Sequence, residues 1–233
     1  MAELDDLKTL GYDAVKAFQM DQSLKPDGVA GPITRAALAD ALRVKDILVG
    51  FRGSIKIVHD FEGHNGKAYW PGGESGITLD PGYDIGHADM GLFRRLYERI
   101  ITAEQMQACM RLSGMKGEVA SAALKHSPVM QSIRISREQA HTAFPHCAKP
   151  YWSAISKRFQ ILQGGTPGPV HTVFLSLAYN RGPGNKGLDV LVGPVSRKDW
   201  KAVADLIAAM QQNHALQGIR DRRVLEANLI RAV

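Results

Sequence analysis

Sixteen residues, GGESGITLDPGYDIGH (72–87), hold five glycines and a proline. No stable α-helix runs through such a stretch: each interior glycine costs about 1 kcal/mol relative to alanine, and a proline about 3 kcal/mol. Ile77, Leu79, Tyr83 and Ile85 stand in partial alternation between turn residues, which predicts a small hairpin or three short strands over 66–88. Glu74, Thr78, Asp80 and Asp84 sit on the same flexible backbone. They are either ordinary turn formers or the wall of a cleft.

On both sides the apolar residues follow a helical period. Leu4, Leu7, Leu10, Val15 and Phe18 fit a short helix, a break at Gly11 and a second helix. "KPDGVAGP" is a turn cluster. Pro32 then stands in a first turn, where a helix tolerates it, and "ITRAALADALRV" continues. Residues 1–44 therefore read as a small three-helix domain, near the lower size limit for independent folding. The join near 43–52 is short or itself helical, and 45–233 reads as a second domain. "SIKIVHDFEG" is predicted as a helix stopped by Gly63. Beyond the glycine-rich stretch, helices are predicted at 89–98, 102–111, 114–125, 136–146, 150–162, 167–180, 196–211 and 215–231. Ser136 is a candidate cap ahead of Glu138 and Gln139. "TPGPVHTVFLSLAYNRGPG" has the apolar middle of a buried central helix. The fold class is mainly α with a small β hairpin subdomain.

The chain has 233 residues, 45% of them hydrophobic, enough for a real core. No apolar run approaches the roughly 20 residues that span a bilayer. "MAELDDLKTLGYDAV" is acidic and lacks the pattern of a signal peptide, so synthesis in the cytoplasm without a leader is expected. Two cysteines, Cys109 and Cys147, make no disulfide framework and read as free thiols. His141, His146 and Cys147 lack zinc-ligand spacing, so no metal and no cofactor is expected. Net charge is +6. Residues 1–44 carry five Lys/Arg against seven Asp/Glu, and the remainder 24 against 16. A basic body suits a polyanionic target such as nucleic acid, an anionic membrane or a bacterial cell wall. The cations are scattered without aromatic interleaving, which argues against a dedicated nucleic-acid binder.

Cleavage of a glycosidic bond needs two carboxyl groups in different environments, one to donate a proton and one to activate water or stabilise positive charge. Glu62, ending a helix behind Val58 and Phe61, and an Asp in a polar loop supply that asymmetry. Thr78 is a candidate to position water, and nearby glycines let a sugar chain approach the backbone. "FEG" (61–63), "SGITLDPGYDIG" (75–86), "SLAYNRG" (176–182) and "GIRDRRVLEANLI" (218–230) together resemble the phage-type lysozymes, the muramidases of glycoside hydrolase family twenty-four. Within that group the order Thr, then Gly-Tyr-Asp, then Gly is similar to the pesticin-like branch. The resemblance implies a lysozyme-like α+β catalytic domain, with Glu62 as general acid, Asp84 as base or charge stabiliser and Thr78 as the water-positioning group. Glu74 and Asp80 are rival second carboxylates. Tyr69 and Tyr83 either stack on sugar rings or pack against the hairpin. Asn180 and Arg181 either cap a helix or contact glycan. "RDRR" (220–223) with Glu226 reads as a structural charge network.

"VKAFQMDQSLKPDGVAGPITRAAL" (15–38) is similar to the type-one peptidoglycan-binding domain at Val15, Phe18, Gln19, Leu24, Asp27, Gly28, Val29, Gly31, Thr34, Ala37 and Leu38. Most of these are core and turn types, so they mark the fold and not the glycan contacts. A wall anchor followed by a muramidase, without a signal peptide, is the layout of a modular phage endolysin. It implies a monomer that is released from the cytoplasm, acts on peptidoglycan in the periplasm, and is drawn to the anionic envelope surface. The alternatives are a lytic transglycosylase, a wall-binding protein without activity, and a bacteriocin; the leading region is short for the last.

Overall fold

A computed structural model describes residues 12–233. The helix predicted ahead of Gly11 lies outside them. The chain is mainly helical with one two-stranded antiparallel sheet, as the periodicity predicts. It forms two compact units, one of residues up to 61 together with 148–233, the other Glu62–Cys147. The sequence boundary at 44/45 falls inside the first unit.

In the first unit, α1 (Tyr12–Asp21) and α2 (Pro32–Val44) are joined by the "KPDGVAGP" turn. Gln19, 2% exposed, fastens that turn. Its Nε2 lies 2.8 Å from Asp27 Oδ1, 3.0 Å from Thr34 Oγ1 and 3.1 Å from the Val29 carbonyl, and its Oε1 accepts from the Gly28 amide at 2.8 Å. The signature glutamine, aspartate and threonine are thus spent on one another and on the backbone of the turn. Pro32 occupies the first turn of α2, where no amide partner is lost.

The join predicted as a linker is packed. Leu48 is fully buried, Phe51 lies edge-on to Trp152 at 5.0 Å, and Trp152 Nε1 donates to the Val49 carbonyl at 2.9 Å. At the end of α1, Asp21 accepts from the Gly168 amide (2.9 Å) and pairs with Arg52 (2.6 Å). Gly168 opens α9 (Gly168–Arg181). Every residue from Gly168 to Ala178 is buried, the central helix that the apolar run predicts. In this unit α3 (Ile55–Phe61) and α12 (Gln217–Arg231) pack on it, and α10 (Val192–Ser196) leads to α11 (Trp200–Ala209), which packs on α12.

In the second unit, β1 (Thr78–Leu79) and β2 (Tyr83–Asp84) pair with each other and share one core with α4 (Met90–Tyr97), α5 (Ala103–Leu112), α6 (Gly117–Lys125) and α7 (Pro128–Gln131). Asp89 caps α4, and Thr102 with Gln105 forms a capping box on α5. The core includes Ile77, Leu79, Ile85, Phe93, Tyr97, Met130 and Ile133, each with no more than 1% exposure. Cys109 and Cys147 are free thiols, as the sequence suggests, and burial pushes both up to about 12.

One boundary departs from the sequence. The helices expected at 136–146 and 150–162 are a single 22-residue helix, α8 (Arg137–Arg158), running through Pro145 and Pro150. Each proline removes one backbone bond, at about 3 kcal/mol. The buried stripe Ala140, Phe144, Ala148, Trp152 and Ile155 outweighs this, at about 1.5–3 kcal/mol per large side chain. Its start is as predicted: Ser136 Oγ accepts from the Gln139 amide, and Gln139 Oε1 accepts from the Ser136 amide.

Two outcomes follow from the packing of the first unit. A Cβ on Gly168 would lie 2.1 Å from the Asp21 carbonyl oxygen, a backbone atom that cannot swing away. Gly168→Ala is expected to cost at least about 1–3 kcal/mol, read as a lowered Tm, whereas Gly184→Ala, in open space, leaves Tm nearly unchanged. His171 is fully buried between Phe51 and Trp152, with Arg52 and Asp21 as its charged neighbours. Its Nδ1 accepts from the Arg52 amide at 3.1 Å. Desolvation first, then Arg52, holds it down at about 4. The unfolded chain takes up this proton near pH 6.5 and the folded chain does not. Stability from His171 is therefore complete above pH 6.5 and lost as pH falls towards 4, by about 3 kcal/mol. A His171→Gln variant should flatten the Tm–pH curve over that window.

Candidate functional site

The glycine-rich stretch folds as three short extended segments. Thr78 pairs with Asp84 across the hairpin, and Leu79 with Tyr83. On its other side Thr78 forms an antiparallel bridge to Tyr69, with amide-to-carbonyl bonds of 2.8 and 2.9 Å in both directions. Tyr69, Thr78 and Asp84 therefore lie on one rung. Directly opposed residues share a face, so the phenol, the hydroxyl and the carboxylate stand side by side. Leu79 and Tyr83 project from the opposite face into the core.

This alternation corrects one expectation. Tyr83 is not available to sugar: it is 7% exposed, its ring lies 5.5 Å from Phe93 and 5.8 Å from Tyr97, and its hydroxyl donates to the Asp89 carbonyl at 2.8 Å. Tyr69 is half-buried. Desolvation pushes its phenol up, and the Asp80 and Asp84 carboxylates add to that push.

The three acidic residues of the stretch have different environments. Glu74 is exposed at the turn. Asp80 is 3% exposed; its Oδ2 accepts from the Gly66 amide at 2.5 Å and pairs with His64 Nδ1 at 2.9 Å. Asp84 is half-buried. Its Oδ1 accepts from the Gly86 amide (2.8 Å) and the Gly76 amide (3.1 Å), and its Oδ2 shares the Gly76 amide (3.0 Å). Those amides fix the carboxylate next to Thr78, while Oδ2 keeps acceptor capacity. Thr78 is 3% exposed, with Oγ1 3.4 Å from the Gly76 carbonyl.

Glu62 is half-buried and opens the second unit, directly after α3. Phe61, the last residue of α3, belongs to the first unit and is held there by Arg222, which donates to its carbonyl (3.3 Å) and lies over its ring. Glu62, Thr78, Asp84 and Tyr69 thus share one compact unit. Asn180 and Arg181 belong to the other, at the end of α9. There Asn180 Oδ1 accepts from Arg223 Nη2 at 3.1 Å, and Arg181 contacts Asn185. Burial lowers the Arg181 guanidinium from its ordinary range. Among the described residues, no group of three or more His, Cys, Asp and Glu side chains is placed to share a metal ion. Sequence reasoning passed over His64 and Gly66; neither lies in a motif or on a helical face that would have flagged it.

Residues 7–38 match the family model described as "Putative peptidoglycan binding domain". The chain carries a domain of that kind, and the match supports contact with peptidoglycan. No match to a curated protein was found. No helix of the described residues is long and apolar enough to cross a membrane.

The seat of Asp84 can be disturbed without substituting it. A Cβ on Gly76 would lie 2.5 Å from Asp84 Oδ1 and 2.5 Å from both Gly86 N and Cα. Gly76→Ala is expected to push the hairpin arms apart, lowering stability by about 1–3 kcal/mol. Amide exchange at Gly86 measures it: protection is lost in the variant and kept in the parent.

Proposed function

We propose that this chain is a peptidoglycan hydrolase that cleaves the β-1,4 bond between N-acetylmuramic acid and N-acetylglucosamine. The observation that carries the proposal is the shared rung, which sets a hydroxyl and an amide-anchored carboxylate side by side in the unit that Glu62 opens. In this reading Glu62 donates its proton to the leaving oxygen, and the anomeric carbon develops positive charge. Asp84 Oδ2 accepts a proton from water held with Thr78, and that water adds to the anomeric carbon. Tyr69 borders the same rung as a sugar contact. The peptidoglycan-binding domain supports the substrate class, because tethering raises the local concentration of a catalytic unit at an insoluble polymer. A modular endolysin that acts on the periplasmic wall is the biological setting that fits this reading.

One observation favours a second reading. The Asp84 carboxylate is engaged by two amides that close the hairpin. A carboxylate serving only as that staple would leave Glu62 to act alone, as in a lytic transglycosylase, where the muramic acid hydroxyl and not water attacks.

Purified sacculi incubated with the parent chain, Glu62→Gln and Asp84→Asn separate the two. The hydrolase reading expects reducing muropeptides from the parent, and a loss of about 10²-fold or more in each variant. Anhydro-muropeptides, with Asp84→Asn retaining most activity, would establish the transglycosylase. Sacculus binding without soluble products would exclude both and leave a wall-binding protein.

A further inference from the structure

The stretch 62–66 leaves the end of α3 without regular structure, and His64 and Asn65 in it are exposed. A segment of that kind is free to swing unless something holds it. A carboxyl group acting on a glycosidic bond must stay within about 0.5 Å of its working position. One restraint on this segment is Asp80. Its Oδ2 receives both the Gly66 amide at 2.5 Å and His64 Nδ1 at 2.9 Å. A second tie, from the Ile135 amide to the Gly66 carbonyl at 2.9 Å, holds the same residue from the other side.

Asp80 is itself anchored from behind. Tyr97, fully buried and stacked on Phe93 at 4.6 Å, donates its hydroxyl to the Asp80 carbonyl at 2.6 Å. Asp80 also follows Thr78 by two residues, at the end of β1. A continuous path therefore runs from the aromatic core through Asp80 to Gly66 and His64, and so to the Glu62 segment. The same residue is rooted at the end of the strand that carries Thr78. A carboxylate that is 3% exposed is costly to bury unless its acceptor sites are filled. Here the filling donors come from the loop after Glu62.

We infer that Asp80, with His64, is a positioning pair that fixes Glu62 relative to Thr78 and Asp84, and is not a second catalytic carboxylate. This rests on the hydrolase reading of the same site. Asp80 touches no reacting atom; it works through the loop.

The test compares Asp80→Asn and Asp80→Ala with the parent on purified sacculi, each assayed well below its own Tm, together with hydrogen exchange at the Gly66 amide. Asparagine keeps an oxygen for the Gly66 amide at the same length, and alanine removes it. The expected result is a kcat lowered at least about tenfold in Asp80→Ala with KM nearly unchanged, as for loss of orientation and not of binding. Asp80→Asn should recover most of the rate, and Gly66 should be protected in the parent and in Asp80→Asn but not in Asp80→Ala. An Asp80→Asn variant as inactive as Glu62→Gln, with Gly66 still protected, would overturn the inference and make Asp80 a catalytic group. Full kcat in Asp80→Ala with Gly66 unprotected would overturn it as well. If the parent releases no product, the hydrolase reading falls by itself; the clamp then stands or falls on whether Gly66 protection disappears in Asp80→Ala.

Discussion

Glu226 has no exposure, and the first unit is organised around it. Its Oε1 accepts from Ser176 Oγ at 2.5 Å, from Arg223 Nη2 at 3.2 Å and from Arg222 Nε at 3.3 Å. Burial pushes this carboxyl up from its ordinary range, and the two guanidiniums oppose that push. Such a cluster is a poor source of net stability but a strong constraint. Removing one partner leaves a buried charge uncompensated, at about 3–5 kcal/mol. The two arginines thereby lock α12 to α9 through Ser176 and Asn180. Arg222 extends the lock to the Phe61 carbonyl, one residue before Glu62. Arg222 and Arg223 of the "RDRR" stretch are therefore structural within the first unit.

The hairpin illustrates how one short sequence sorts its acidic residues by pleat and burial. Pairing of Thr78 with Asp84 puts that carboxylate on the outer face, and the same register sends Leu79 and Tyr83 into the core. Asp80 stands past the strand end and turns to the loop behind it. Glu74 stays in water at the turn. A slip of one residue would exchange the faces, burying Asp84 and exposing Tyr83. Register, fixed by the Tyr83 hydroxyl on Asp89 and the Asp84 oxygens on Gly76 and Gly86, is what sets Asp84 beside Thr78 on one face.

What the sequence made legible is what local period and local hydrogen bonding decide. The buried run 168–178, the Ser136 cap and the Pro32 start all follow from neighbours within four residues. The continuity of α8 through Pro145 and Pro150 was not legible, because the burial that outweighs two prolines is tertiary. Tyr69 and Tyr83 looked equivalent because each alternates with apolar residues; only the register tells which face each one takes. Asp80 looked like a rival to Asp84 because its partners, His64 and Gly66, lie 16 and 14 residues earlier across a turn, and no periodic pattern connects them. In the site, Thr78 and Asp84 stood out by resemblance to a known family; that they share a rung with Tyr69 depends on register, which residue types do not show.

Charge divides differently from chemistry. Residues 148–233 carry twelve Lys/Arg against five Asp/Glu, while 62–147 carry nine of each. The unit that holds Thr78 and Asp84 is therefore neutral overall, and the excess positive charge belongs to the helical unit with α9 and α12. Attraction to a polyanion acts over about a Debye length and fades with salt. It therefore affects how often the chain meets such a surface, not what happens on the rung. A short-range site in a neutral unit and a long-range field from a basic one are separable by physical principle. The first answers to single atoms such as Asp84 Oδ2; the second answers to the sum of many exposed cations, no one of which is decisive.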